Sequence, residues 1–202
     1  MSSSSMSPLH IVLLGPPGSG KGTQARYVTA HFGVAYVGAG ELLRDEVARQ
    51  TPLGRQVASF LEAGDLVPLP LLVELVARRL ASVPPDQGVL FDGVPRSLAQ
   101  AKALDELLAR AGRRLDVAIL LRVPDEVVYE RLLRRGRPDD TPDVIAHRLR
   151  VYHAEIGPLI AWYRRRGLLR EVDGVGPPER VFERLRRAIS TAAGAPENSE
   201  GF

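Results

Sequence analysis

Residues 15 to 23 read GPPGSGKGT, with four glycines around a single lysine. Glycine allows turns that other residues avoid, and it lets an anion approach the backbone closely. The loop lies between the apolar run HIVLL and the helix-like stretch QARYVTAHF, and the free N–H groups of a helix N-terminus attract anions. The spacing G-x-x-x-x-G-K between a strand and a helix therefore predicts a loop that binds the phosphates of a nucleotide.

The lysine in this loop is unusual for the chain. Only two of the 27 basic residues are lysines, Lys21 and Lys102. An ammonium is a compact point charge, whereas a guanidinium is planar and forked, so a position between phosphates does not readily accept arginine. We expect Lys21 to neutralise phosphate oxygens. A glycine-rich turn with an accidental lysine is the alternative.

The elements around the loop predict an α/β fold with a parallel sheet. Apolar runs typical of strands occupy 10–14, 34–37, 88–92, 116–123 and 168–173. Helical patterns occupy 20–31, 41–63 with a break near Thr51, 69–82, 97–111, 125–135, 143–166 and 178–191. Nearly continuous apolar strands that alternate with helices form parallel sheets covered on both faces. We expect one domain over 9–191, with disordered tails at 1–8 and 192–202.

Composition argues against several classes of protein. A chain of 202 residues that is 45% hydrophobic and 25% charged is ordinary for one soluble domain. It has no apolar stretch long enough to span a membrane and no export signal, so we expect a cytoplasmic protein. The absence of cysteine excludes disulfides and thiolate zinc sites. The 24 acidic residues are interspersed among the arginines and aromatic residues make up only 5%, which disfavours nucleic-acid binding.

The block VLFDGVPRSLAQA, residues 89–101, carries a second set of chemical groups. Asp92 ends an apolar strand, so it lies at the carboxyl edge of the sheet, where ligands of such folds bind. Beside a phosphate loop, this carboxylate can hold the water shell of Mg²⁺. Ser97 and Gln100 match the S-x-x-Q capping box, which starts a helix without any ligand. Two interpretations of Gln100 therefore stay open, as a helix cap and as a contact to a ligand.

The block ERLLRRGRPDDTPDVIAHRL, residues 130–149, concentrates arginines. Arg131 and Arg135 share one face of a helix. Arg137 follows in the turn, and Arg148 lies in the next helix. Such a cluster repels itself unless anions lie between its members. A solvated, arginine-rich helix face is the alternative.

Together these blocks resemble the nucleoside monophosphate kinases, and adenylate kinases above all, over about residues 10–190. The ending GKGT of the loop, D-G-x-P-R-S-x-x-Q at 92–100 and RRG-R-x-DD-T at 134–141 match patterns of that family. The segment VGAGELLRDE at 37–46 resembles its acceptor segment, and EAGDLVPLPLLVELV at 62–76 resembles its base pocket. The resemblance implies the three-layer fold of the P-loop NTPases with a central five-stranded parallel sheet. It also implies a helical insertion at 38–67 that binds the monophosphate, and a short lid at 130–141 without a zinc ribbon.

The function that this resemblance implies is reversible phosphoryl transfer from Mg²⁺-ATP to AMP, giving two ADP. Catalysis is assigned by it to Lys21, Arg96, Arg131, Arg135, Arg137 and Arg148. ATP contacts are assigned to Gly18, Ser19, Gly20, Lys21, Gly22, Thr23, Arg131 and Gly176. AMP contacts are assigned to Ala39, Arg44, Asp65, Leu66, Val67, Gly93, Val94, Pro95, Arg96, Gln100, Arg137 and Arg148. Asp92 is assigned to Mg²⁺ through water, and the protein is expected to be a monomer with only these nucleotides as partners.

Three positions depart from the adenylate kinase pattern. Val94 stands in place of an aromatic residue, Ala39 in place of a threonine and Asp65 in place of a lysine. Uridylate and cytidylate kinases often carry alanine at position 39, but they carry asparagine at the positions of Ser97 and Gln100. A UMP/CMP kinase is therefore the alternative within the family. A P-loop nucleotide-binding protein without kinase activity is more remote, and a GTP switch would need an N-K-x-D motif that the sequence lacks.

Overall fold

The computed structural model describes residues 8–194, and within them five strands form one parallel sheet. These are β1 (His10–Leu14), β2 (Ala35–Gly38), β3 (Val89–Asp92), β4 (Val117–Arg122) and β5 (Leu169–Asp173). The order across the sheet is β2-β3-β1-β4-β5, and every pairing is parallel. The predicted α/β fold with a five-stranded parallel sheet is confirmed. Of the two expected tails, residues 1–7 and 195–202 lie outside the described residues.

Eight helices occur within the described range, and their ends lie within two residues of the predicted ones. They are α1 (Lys21–Phe32), α2 (Ala39–Ala48), α3 (Pro52–Ala63), α4 (Leu69–Ala81), α5 (Leu98–Arg110), α6 (Asp125–Arg135), α7 (Pro142–Arg165) and α8 (Pro178–Ala192). The break predicted near Thr51 separates α2 from α3, because Thr51 caps α3 by accepting the Gly54 N–H at 2.9 Å. None of these helices is both long and apolar enough to cross a bilayer.

Helices cover both faces of the sheet, because alternate residues of each strand point to opposite sides. Val37 and Phe91 pack in the cluster on the side of α2 to α5 and α7. Leu90 packs in the cluster on the opposite side, where α1 and α8 lie. A third, smaller cluster of Val128, Leu132 and Ile145 joins α6 to α7.

The strand order places a topological switch at β1, which lies between β3 and β4. Connections from neighbouring strands leave in opposite directions at such a point, and a crevice opens beyond the carboxyl ends of the strands. The loop after Leu14 and the carboxylate of Asp92 both lie at this edge, since Leu13 pairs with Asp92 in the parallel register. The candidate site lies here.

Candidate active site

Two glycines near the end of the loop between β1 and α1 have backbone conformations that other residues rarely adopt. Gly18 has φ +80° and Gly20, the N-cap of α1, has φ +97°, both in the left-handed region. A Cβ atom on Gly18 would also lie 2.7 Å from Cγ of Leu132 in α6. The helix N-terminus is thus presented without a side-chain cap, and its N–H groups are available to an anion.

Lys21 is the first residue of α1, and its side chain folds back onto the preceding loop. Its Nζ donates to the carbonyl oxygens of Gly15 and Pro16, both at 2.8 Å, and to Ser19 Oγ at 3.3 Å. The three hydrogen bonds match the three donors of an ammonium and fix the charge beside the N-terminus of α1.

The pKa of Lys21 reflects its surroundings. Burial lowers it to about 8, an effect that the carboxylate of Asp92 opposes and that Arg96 and Arg135 increase. Both arginines belong to the same positively charged cavity, so the cost of concentrating cations is visible at Lys21. A bound polyanion would stabilise the charged form of each.

The cavity has a volume of about 1020 Å³ and opens at the carboxyl edge of the sheet. Its cationic lining consists of Lys21, Arg26, Arg44, Arg96, Arg131, Arg135, Arg137 and Arg148. Its acidic lining consists of Glu41, Asp65, Asp92 and Asp139. All six cations predicted to be catalytic are therefore brought to one cavity.

The other predicted site residues divide into two groups. Those that also line the cavity are Gly18, Ser19, Gly20, Gly22, Thr23, Leu66, Val67, Gly93, Gln100 and Gly176. Ala39, Val94 and Pro95 do not line it. Ala39 and Val94 are only 1% and 3% exposed and pack in the core, and Pro95 is also buried. The structure brings every predicted ATP residue to the cavity wall, whereas part of the predicted AMP set lies behind it.

Asp140 organises the arginines of the segment 130–141. Its side chain is fully buried and accepts two hydrogen bonds from Arg135, at 2.8 and 2.6 Å. It also accepts from the Arg137 backbone N–H at 3.2 Å and from Arg148 at 3.3 Å. Burial alone would raise the pKa of Asp140, but these donors outweigh it and lower the pKa below its usual value. The carboxylate is therefore charged at neutral pH and fixes the directions of the arginines.

Two other arginines connect separate parts of the cavity wall. Arg131 donates to the carbonyl oxygens of Ser19, at 3.3 Å, and Gly174, at 3.3 and 3.4 Å, which joins α6 to the phosphate loop and to the loop after β5. Arg148 pairs with Asp139 and donates to Leu61 O at 3.3 Å, at the end of α3. The cations are thus held by backbone carbonyls and acids from several elements.

Arg44 and Arg96 lie near each other, where α2 meets the loop after β3. Arg96 Nε donates to Gly93 O at 2.9 Å, and the Arg44 side chain has no ion-pair partner among the described residues. Partial desolvation in the cavity lowers the pKa of both guanidinium groups and neighbouring arginines lower it further, whereas nearby acids, Asp92 at Arg96 and Asp139 at Arg44, oppose the shift. Both groups stay charged at neutral pH, so this part of the cavity wall also carries positive charge that an anion would compensate.

Gln100 combines the two interpretations that the sequence left open. Ser97 caps α5 by accepting the Gln100 backbone N–H at 3.3 Å, and Gln100 Oε1 accepts the Arg96 N–H at 2.7 Å. The residue is only 5% exposed, yet it lines the cavity. With Oε1 already bonded, its amide offers the cavity donors rather than acceptors. The side chain is a cap and, at the same time, a directional group in the cavity wall.

Several residues with a place in the site were missed at the sequence level, among them Arg26 in the cavity lining, Tyr36 and His147. Tyr36 lines the cavity and its hydroxyl donates to Asp92 Oδ2 at 3.1 Å. His147 contacts Asp65 Oδ1 through Nε2 at 2.6 Å, which joins α7 to the residue after α3. Of the last two, the sequence carried a signal only for Tyr36, since an aromatic residue two positions before a glycine at a strand end can lie across that glycine.

The acids of the site suit a Mg²⁺ ion that is bound mainly by nucleotide phosphates and only weakly by the protein. Within residues 8–194, no three histidine or acidic side chains form a group that could hold a metal. A Cβ atom on Gly22 would lie 3.7 Å from Asp92 Oδ2, so this carboxylate lies beside the first turn of α1. One carboxylate next to a phosphate site suits Mg²⁺, which keeps several waters and binds through one or two carboxylates plus phosphate oxygens.

Comparison with known proteins gives one consistent result. The family model described as adenylate kinase matches residues 13–168. The adenylate kinase of Thermus thermophilus is 46% identical over 183 residues, which cover 89% of this chain and 96% of that protein. The adenylate kinase of Mycobacterium tuberculosis is 46% identical over 181 residues, covering 90% of this chain and 99% of that protein. The adenylate kinase of Nocardia farcinica is 44% identical with the same coverage.

Proposed function

The chain belongs to the adenylate kinase family, and we propose that the cations of its cavity carry out the reversible transfer of a phosphoryl group from ATP to AMP. The observation that carries this proposal is the convergence of Lys21 and five predicted catalytic arginines on one cavity. Like charges concentrate in this way only where an anion compensates them. A donor triphosphate and an acceptor monophosphate supply that compensation.

The cations of the cavity have different roles in this proposal. Lys21 and Arg131 lie at the phosphate loop, so they bind the phosphates of ATP. Arg44 and Arg96, near α2 and the end of β3, bind the phosphate of AMP. Arg135 and Arg148, which Asp140 fixes, and Arg137 in the turn between α6 and α7 face the phosphoryl group in transfer.

Catalysis in this arrangement consists of positioning and charge compensation. The acceptor oxygen of AMP attacks the γ-phosphorus in line, and the β-phosphate oxygen leaves, so no covalent intermediate with the protein forms. Preformed cations stabilise the charge that develops on the transferred group. Water competes as an acceptor, so we propose that the insertion 38–67 and the lid 130–141 close over the nucleotides before transfer.

Mg²⁺ fits the donor set described above. When bound with ATP, it would supply positive charge to the phosphates, with Asp92 holding its water shell and the Thr23 hydroxyl near the same oxygens. Two finer parts of the proposal, a monomeric state and a cytoplasmic location, come from the resemblance and the composition. Light scattering after size-exclusion chromatography tests the first, and cell fractionation tests the second.

AMP is favoured as the acceptor by Gln100 together with the relatives of the chain. The free amide donors of Gln100 suit an acceptor ring nitrogen, such as adenine N1 or cytosine N3, whereas N1 of guanine and N3 of uracil carry a hydrogen. The relatives named above are adenylate kinases. Gln100 therefore argues against GMP and UMP, and the relatives favour AMP over CMP. A panel of AMP, UMP, CMP and GMP with ATP as donor should give the highest kcat/KM for AMP.

The experiment that tests the assignment uses the two lysines of the chain. We expect Lys21→Met to lower turnover of ATP plus AMP by at least about a hundredfold, as loss of one preorganised charge does at sites of this kind. Lys102→Met is the matched control, because Lys102 is exposed on α5 and lies 5.6 Å from the ring of Trp162, away from the cavity. Normal turnover in a folded Lys21→Met protein would refute the assignment.

A further inference from the structure

Tyr36 and Gly38 lie on the same face of β2, because residues two apart in a strand point to the same side. The parallel register pairs Gly38 with Asp92, the last residue of β3. The Tyr36 ring packs against the cluster on the α1 side of the sheet, and its hydroxyl donates to Asp92 Oδ2 at 3.1 Å. The phenol therefore reaches from β2, across Gly38, to the carboxylate at the end of the next strand.

Position 38 is a glycine because of the Tyr36 side chain and not because of its own backbone conformation. Its φ of −95° and ψ of 99° are extended values that any residue adopts. A Cβ atom at position 38, however, would lie 2.5 Å from Cζ and 2.6 Å from Cε1 of Tyr36. Real side chains do not approach so closely, so the glycine provides the space in which the phenol lies.

The hydrogen bond leaves Asp92 with two different oxygens. Oδ2 is bonded to Tyr36, whereas Oδ1 has no hydrogen-bond partner among the described residues and the carboxylate lines the cavity. A carboxylate offers only acceptor lone pairs, so the phenol O–H is the donor in this contact.

We infer that Tyr36 is a positioning residue for Asp92: seated over Gly38, it fixes the carboxylate beside the first turn of α1 and leaves Oδ1 available to the water shell of the Mg²⁺ that accompanies ATP. The inference rests on the proposed function, since it needs a metal–nucleotide complex beside Asp92. It adds a pair of residues, Tyr36 and Gly38, whose task is to orient that acid.

The test separates metal binding from nucleotide binding. Binding of the non-hydrolysable analogue β,γ-imido-ATP is measured by calorimetry with and without Mg²⁺, and the ratio of the two affinities gives the contribution of the metal. We expect Tyr36→Phe to lower this ratio by about tenfold, the lower end of the effect for partners that orient metal ligands, because Asp92 acts through water. Its affinity without Mg²⁺ should stay that of the parent.

Two further variants make the result specific. Tyr27→Phe is a matched control, because the Tyr27 hydroxyl also donates to a carboxylate at 3.1 Å, that of Glu179, outside the cavity lining. It should leave the ratio unchanged. Gly38→Ala should lower the ratio as Tyr36→Phe does, because the added methyl group displaces the phenol, and it should add no further loss in a Tyr36→Ala background.

Three outcomes overturn the inference. These are a parent-like ratio in Tyr36→Phe, an equal loss of affinity with and without Mg²⁺, and a parent protein whose affinity does not depend on Mg²⁺. Failure of the proposed function is recognised separately, as a parent protein that forms no ADP from ATP and AMP. The calorimetric ratio does not require turnover, so it is decisive in either case.

Discussion

Gln100→Glu separates the two tasks of the Gln100 side chain with almost no change in shape. A glutamate keeps an oxygen for the Arg96 N–H, which Gln100 Oε1 accepts at 2.7 Å. It replaces the amide donors that face the cavity with a second acceptor. Adenine N1 is also an acceptor, so the variant should lose one hydrogen bond to AMP. It should also place a lone pair of the carboxylate against the lone pair of N1.

The size of the effect follows from these two changes. A lost hydrogen bond contributes about 1 kcal/mol, and a desolvated acceptor left facing another contributes about 1–3 kcal/mol more. The sum of about 2–4 kcal/mol corresponds to a loss of about 30- to 1000-fold in kcat/KM for AMP. The unfolding free energy should fall less than in Gln100→Ala, because a carboxylate in the first turn of α5 keeps the cap and interacts favourably with the helix dipole, by about 0.3–1 kcal/mol, which offsets part of the cost of burying its charge.

The assay is ADP formation with AMP varied at saturating Mg²⁺-ATP, together with urea unfolding of both proteins. Gln100→Ala is the comparison variant, since it removes both the cap and the donor and should lose stability as well as activity. A Gln100→Glu protein with the parent's kcat/KM for AMP would show that Gln100 acts only as a helix cap, and the argument for base recognition would be refuted.

Three further predictions concern buried ionisable groups. The kcat/KM for ATP should fall as pH rises through about 8, by up to about tenfold per pH unit. Burial lowers the pKa of Lys21 to about 8, and the neutral amine loses its attraction for phosphate. A kcat/KM that stays constant up to pH 10 contradicts this. Asp140→Ala should lower the melting temperature by about 4–8 °C, equivalent to about 2 kcal/mol, because it removes the buried acceptor of Arg135 and Arg148. Glu130→Ala, at an exposed pair with Arg134, should change it little. The pKa of Asp140 is lowered in the folded protein. Its contribution to stability is therefore present above the unfolded pKa of about 4 and is lost as pH falls through the lower folded pKa. The difference in unfolding free energy between the parent and Asp140→Ala, measured in urea, should shrink below about pH 4. Tyr163→Phe should raise the unfolding free energy by about 1 kcal/mol, because the Tyr163 hydroxyl is buried without a hydrogen-bond partner among the described residues; a loss of stability would indicate a partner for this hydroxyl.

The elements of the fold were predictable because their signals are local. The run VLFD is apolar up to its last residue and forms β3. The start of α3 is set by a capping threonine followed by proline, and Ser97 sets the start of α5 in the same way. Each signal acts within four residues, so a single sequence contains the whole cause.

Contacts between distant segments were not predictable from the same signals. Tyr36 and Asp92 are 56 positions apart, and they meet only because β2 and β3 are neighbours in the register that pairs Gly38 with Asp92. His147 and Asp65 are 82 positions apart and meet where α7 passes the end of α3. Strand order and helix packing decide such contacts, and neither is encoded in the residues next to the contact.

The contacts of the paired acids Asp139 and Asp140 were also not predictable from the sequence. As a motif, Asp139-Asp140 supported the resemblance to a kinase lid, but the sequence did not indicate what the acids do. In the structure, Asp140 is the buried acceptor for Arg135, and both acids contact Arg148. Arg148 also donates to Leu61 O, 87 positions away at the end of α3, so one guanidinium joins these two acids to α3.

This arrangement explains how a cavity can hold many cations without an equal number of acids. Asp139 and Asp140 neutralise the arginines that must be fixed in direction, Arg135 and Arg148. The side chain of Arg137 has no ion-pair partner among the described residues, and its backbone N–H alone is held, by Asp140. A small number of buried acids therefore sets the geometry of the cluster and leaves its charge in excess. Added acids would pair the remaining guanidinium groups internally, and the affinity of the cavity for phosphate would fall with each pair formed.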